Sequence, residues 1–293
     1  MEKLIRFDWA IKKLLRDKAN FSVLEGFLTA VLDEDVTVVN LLESESNQED
    51  SLDKFNRVDL LVENSKGELL LIEVQVKSEY DFFHRIAYGV AKLMTEYLEK
   101  GQPYREIKKI ISVSITYFSL GIGTDYLYYG STNFVGVHSK DILSLSNRQQ
   151  ELFGISDVRK IFPEHYLIRV EDFPDKVQSG LDEWIYMLKH SEVRPDFRAK
   201  HIQEASARLR MMNLDEPQRK AYDEYMLNMS YQQSMLWSSK EEGRTEGKYE
   251  EKIAIARNLL AHGVASAVIA ASTGLSEEEI AKLRQRAVKR HPD

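Results

Sequence analysis

The chain contains no cysteine. That excludes a disulfide scaffold and any thiolate metal centre, and it suits a reducing compartment. No uninterrupted apolar run approaches the roughly 20 residues of a membrane span. The opening MEKLIRFDWAIKKLLRDK is broken by charges every few residues and so lacks the core of a signal peptide. The expectation is a cytoplasmic protein with no membrane partner. Basic residues are outnumbered, 40 Lys and Arg against 47 Asp and Glu, for a net charge of −7. The average field therefore does not draw the molecule to a polyanion, and nucleic-acid binding would need local basic patches or bound cations. Hydrophobic residues make up 43% and charged residues 30% of the 293, which is enough to build a packed core and argues against wholesale disorder.

Periodicity then orders the chain. Phe7, Ile11, Leu14 and Leu15 have helical spacing over residues 7–17, with Asp8 as N-cap, and a second helix covers residues 21–32. VTVVNLL (36–42) reads as a strand and the polar run 43–54 as a loop. Residues 58–77, VDLLVENSKGELLLIEVQVK, read as a hairpin. A helix over 80–100 follows, with Phe83, Ile86, Ala87, Val90, Leu93, Met94 and Tyr97 inward and Gly101 and Pro103 ending it. IISVSITYF (110–118) and YLIRVEDF (166–173) are further strands, and GIGTDY (121–126) is a loop. The fold class is α/β, a mixed sheet flanked by helices. From about residue 176 the pattern turns helical. Residues 241–252, EEGRTEGKYEEK, are a solvated helix or a hinge, and short helices broken at Gly263 and Gly274 close the chain, with Ser276 and Glu279 as a capping box. The expected domains are 1–175, a helical extension over 176–240, and a charged linker with a helical tail over 241–293.

The hairpin carries the chemistry. Asn64-Ser65-Lys66-Gly67 suits a type I turn with Gly67 left-handed, and that register sets Asn64 opposite Glu68 and Asp59 opposite Glu73. Their Cβ atoms would lie roughly 5 Å apart. Gln75 points to the same face as Glu73. Val58, Leu60, Val62, Leu70, Ile72, Val74 and Val76 make the other face wholly apolar. Opposed carboxylates repel unless a proton or cation lies between them, and Mg²⁺ (or Mn²⁺) suits one or two carboxylates with waters and phosphate oxygens. The competing readings are a half-exposed polar face that binds only water, and an acid pair sharing one proton.

Asp59 followed after thirteen residues by Glu73-Val74-Gln75 resembles the PD-(D/E)xK restriction-endonuclease-like fold, in its Rpn-like recombination-promoting nuclease and transposase branch. FDWAIKKLL, NRVDLLVENSKGELLLIEVQ and the EGRTEG segment before the helical tail are similar to that family as well. The resemblance implies a metal-dependent DNA endonuclease in which Asp59, Glu73 and the carbonyl of Val74 hold the metal and Gln75 stands where a lysine is usual. An amide can orient water or a phosphate oxygen, but it brings no positive charge. Lys77, on the same face, is either a substitute or a solvated strand-end lysine. Glu25, interrupting an apolar helix, is either a further metal ligand or solvent-facing. Arg85, Tyr88 and Lys92 share a helix face and would clamp DNA phosphates, unless they are simply that helix's outer surface. His84 has no histidine partner at ligand spacing. A catalytically silent nuclease fold, binding DNA or a protein, is the alternative function.

The tail has the rhythm of a helix-turn-helix, with Lys282, Arg284, Arg286, Lys289 and Arg290 concentrating positive charge. Glu277, Glu278 and Glu279 at the start of the would-be reading helix oppose DNA contact there. The other reading of the tail is a dimerisation or packing element, which leaves a homodimer open.

Overall fold

In the computed structural model the described residues are 4–42, 59–98 and 101–288, without the side chains of residues 212 and 286–288. The expected loop at 43–54, Val58, Lys289, Arg290 and the side chain of Arg286 lie outside them. The chain divides into two compact units, Met1–Arg219 and Lys220–Asp293.

The first unit begins with α1 (Phe7–Lys13) and α2 (Phe21–Leu32), then β1 (Val38–Leu42), β2 (Leu60–Asn64) and β3 (Leu69–Gln75). Next come α3 (Phe82–Glu96), β4 (Ile110–Thr116), β5 (Leu127–Gly130), α4 (Asn147–Phe153) and β6 (Glu164–Arg169). α5 (Gly180–His190) and α6 (Ile202–Arg208) complete it. One six-stranded sheet runs in the order β1-β2-β3-β4-β6-β5. The pairs β3–β4 and β4–β6 are parallel and the rest antiparallel, so the sheet is mixed as expected. β5 and α4 carry too little periodic signal to be read from sequence.

Strand alternation sorts the sheet into two faces. Leu60, Val62, Leu70, Ile72, Val74, Ile111, Val113 and Ile115 pack on one side against Phe7, Ile11, Leu24, Phe27, Trp184, Ile185 and Ile202, from α1, α2, α5 and α6. Leu61, Leu69, Leu71 and Ile110 pack on the other side against Val90 and Leu93 of α3. Each such fully buried aliphatic side chain contributes about 1.5–3 kcal/mol.

Three expectations are corrected by this packing. Asp8 does not cap α1; the N-cap is Arg6, and Asp8 lies buried in the first turn, accepting from Arg6 Nε at 3.1 Å. α1 also stops at Lys13, well short of residue 17. α3 is rotated from the expected face: Phe82 is buried while Phe83 and Ala87 are exposed, since two adjacent phenylalanines leave the helix phase ambiguous. α5 and α6 belong to the first unit and supply Trp184, Ile185, Ile202 and Ala205 to its core.

In the second unit α7 (Glu216–Ala261) carries the chain on from the first, followed by α8 (Ser266–Thr273) and α9 (Glu277–Val288). Residues 241–252 are uninterrupted helix. Gly263 and Gly274 adopt left-handed φ of 77° and 69° and separate the helices where expected. Ala256, Ile269, Leu275, Ile280 and Leu283 form a small core. The capping box is present: Ser276 Oγ donates to Glu279 Oε2 at 2.7 Å and accepts from the Glu279 N–H at 3.3 Å. No described helix is long and apolar enough to cross a membrane.

Candidate active site at the carboxyl end of β3

The hairpin turn fixes the site's register. Gly67 has φ 76° and its N–H donates to the Asn64 carbonyl at 2.9 Å, while the Asn64 N–H donates to the Glu68 carbonyl at 3.1 Å. Pairing continues through Glu63↔Leu69 to Leu60↔Ile72, so the next position along sets Asp59 beside Glu73. Glu73 and Gln75 share the parity of Leu69 and Leu71 and so belong to the α3 face, while Asp59, just ahead of β2, turns its carboxylate to the Val74 N–H and to Lys12 of α1, a helix packed on the other face. On β4 the same face carries Ser114 beside Glu73 and Thr116 beside Gln75. The α3 side of the sheet is thus apolar near the turn and polar at the carboxyl ends of β3 and β4, where ligands of open α/β sheets gather.

Asp59 is tightly held. Its Oδ2 accepts from the Val74 N–H at 2.7 Å and its Oδ1 lies 3.2 Å from Lys12 Nζ of α1. Arg16 Nη2 donates to the Asp59 carbonyl at 2.8 Å. The Gln75 carbonyl accepts from Tyr117 on the β4 side, so strand alternation turns the Val74 carbonyl the other way, toward Asp59.

Glu73 is only 3% exposed, and its Oε2 is buried without a hydrogen-bond partner. Burial, with the charges of Asp59 and Glu79 adding to it, pushes its carboxyl up to about 7, against the opposing pull of Arg85. Gln75 Nε2 donates to Glu79 Oε1 at 2.6 Å, and Arg85 Nη1 lies 3.3 Å from Glu79 Oε2. Glu79 is therefore a relay between the strand and α3.

Asp59, Glu73, Val74, Gln75 and Arg85 converge here. Tyr88 is exposed on α3, and Lys92 pairs with Glu96 at 3.7 Å. Lys77 is exposed beyond the end of β3. Glu25 is not brought to this cluster. Its Oε1 accepts from the Val38 N–H at 2.8 Å, and Val38 pairs with Asn64 at the turn end of the hairpin. Five residues of strand, about 17 Å, separate Asn64 from Asp59. Sequence reasoning missed Lys12, Arg16 and Glu79. The only local sign of the first two was the basic run in AIKKLLR.

The donor types suit a hard divalent cation, two carboxylates of which Glu73 has an unpaired buried oxygen, but both Asp59 oxygens already have partners. Among the described residues, however, no group of three or more His, Cys, Asp or Glu side chains is arranged to hold a metal.

No curated protein and no solved structure matches the chain. Residues 249–285, which cover α8, most of α9 and the end of α7, match the C-terminal helix-turn-helix domain of the Rpn/YhgA-like nuclease family. Residues 5–237 match the PD-(D/E)XK nuclease family transposase model, and with that match covering most of its length, the chain belongs to this family.

Proposed function

We propose that this protein is a metal-dependent DNA endonuclease, acting in recombination or mobile-element chemistry. The observation that carries the proposal is the buried, unpartnered carboxylate oxygen of Glu73 beside Asp59. A second acid in that position is costly unless a cation or a proton compensates it. Asp59, Glu73 and the Val74 carbonyl would hold Mg²⁺ or Mn²⁺. Once bound, such an ion supplies an activated water and offsets charge on the phosphorane. The chain's own residues do the rest. The Val74 N–H orients Asp59, Glu79 holds the Gln75 amide, and Arg85, with Tyr88 and Lys92 along α3, offers contacts to DNA phosphates.

A second reading, a nuclease-fold protein that binds DNA or another protein without turnover, has specific support. No described group of three or more ligating side chains is present, Lys12 already neutralises Asp59, and the Gln75 amide is committed to Glu79. The donor inventory sides with this second reading, since both Asp59 oxygens already have partners.

Plasmid nicking and DNA-binding anisotropy of wild type, Asp59→Asn and Glu73→Gln, each titrated with Mg²⁺ and Mn²⁺, separate the two. Nicking lost by about 100-fold or more in both variants supports the endonuclease. DNA binding without nicking by wild type supports the silent fold, and the absence of both overturns a DNA function.

A further inference from the structure

From Tyr225 to Ser239, α7 has no charged residue, and every residue from Tyr231 to Glu250 is exposed. Within this stretch Leu227, Tyr231 and Met235 are 71%, 67% and 51% exposed, and their spacing of four places them on one face. A solvated helix is normally polar all round, so an apolar stripe of this kind calls for a partner.

The opposite charges at the two ends of this face identify the partner. At about 100° per residue, Lys220, Glu224, Leu227, Tyr231, Met235, Ser238 and Glu242 fall within an arc of about 80°. Any helix face is evenly spaced about its central residue; here the residue types equidistant from Tyr231 also match, Leu227 with Met235 and Lys220 with Glu242. An antiparallel copy centred on Tyr231 therefore sets each Leu227 against the partner's Met235, and Tyr231 against its own counterpart. It also sets Lys220 at each end against the partner's Glu242. Both residues are exposed, so each end of the pair gains a complementary charge contact. A two-fold interface requires this self-complementarity of one patch. A parallel pairing would oppose Lys220 to Lys220 and Glu242 to Glu242, which is repulsive.

We propose that this face of α7 is a self-association surface, on which a second copy of the chain packs antiparallel about a two-fold axis at Tyr231. The proposal does not depend on nuclease activity. The absence of native cysteine gives a clean test. Under mild oxidation the full chain carrying Tyr231→Cys should form a disulfide-linked dimer, while Leu227→Cys alone should not. In sedimentation equilibrium, Lys220→Glu should weaken the dimer about tenfold, and Lys220→Glu with Glu242→Lys should restore it. Circular dichroism confirms that each variant is folded. A wild-type chain that stays monomeric at about 100 μM, well above the micromolar range of specific association, overturns the proposal. So does cross-linking through Leu227→Cys as efficient as through Tyr231→Cys.

Discussion

The backbone N–H of Val74 donates to Asp59 Oδ2 across 2.7 Å, tying the first acid of the motif to the strand that carries the second. The bond gives Asp59 a structural role. Lys12 lies 3.2 Å from the other carboxylate oxygen.

Two substitutions at Asp59 should therefore differ. Asp59→Asn retains an acceptor for Val74 and should leave urea stability within about 1 kcal/mol, whereas Asp59→Ala strands that N–H and should cost about 1–3 kcal/mol. On the endonuclease reading Mg²⁺ raises the melting temperature of wild type, and both variants should abolish that shift. Equal urea stabilities for the two variants would show that the Val74 bond contributes nothing.

Glu73 should make stability depend on pH. Its folded carboxyl titrates at about 7 against an ordinary value of 4.5. Between those values the folded state holds a proton that the unfolded state has lost, so stability falls as pH rises through this window. The contribution is fully present below 4.5 and fully lost above 7, a change of about 3 kcal/mol. Urea denaturation at pH 5 and pH 8 should show this loss in wild type but not in Glu73→Gln. Mg²⁺ should recover part of it at pH 8, because a cation favours the charged form.

Gly26 of α2 sits against the segment between α5 and α6. A Cβ there would lie 2.4 Å from the Lys200 carbonyl oxygen and 2.8 Å from Trp184 Cζ2. The carbonyl belongs to backbone and cannot rotate away. Gly26→Ala should destabilise the protein by about 1–3 kcal/mol in thermal or urea unfolding. A neutral result would mean that α5 and α6 are not integral to the first unit.

Gly243 and Gly247 interrupt the exposed part of α7, where an added Cβ meets nothing within 4 Å. Gly243→Ala and Gly247→Ala should each stabilise the helix by about 0.5–1 kcal/mol, read from the ellipticity at 222 nm on heating. A loss of helicity would identify this stretch as a hinge instead.

The hairpin was legible from its residues because a side-chain period of two and a left-handed glycine leave few registers open. NSKG thus placed Glu68 opposite Asn64 and, by counting, brought Asp59 to Glu73. The helix-breaking glycines at 263 and 274 and the capping box at Ser276 were local signals too, complete within a few residues. The environment of the acids was not local. Whether Glu25 reached them or met Val38, whether the nearby cation was Lys77 or Lys12, and which phenylalanine of α3 turned inward all depended on how helices lie over the sheet. Lys12 and Asp59 are 47 positions apart, and no periodicity spans such a gap. Only the packing of α1 and α3 on opposite faces of one hairpin decided which charges surround the buried carboxylate.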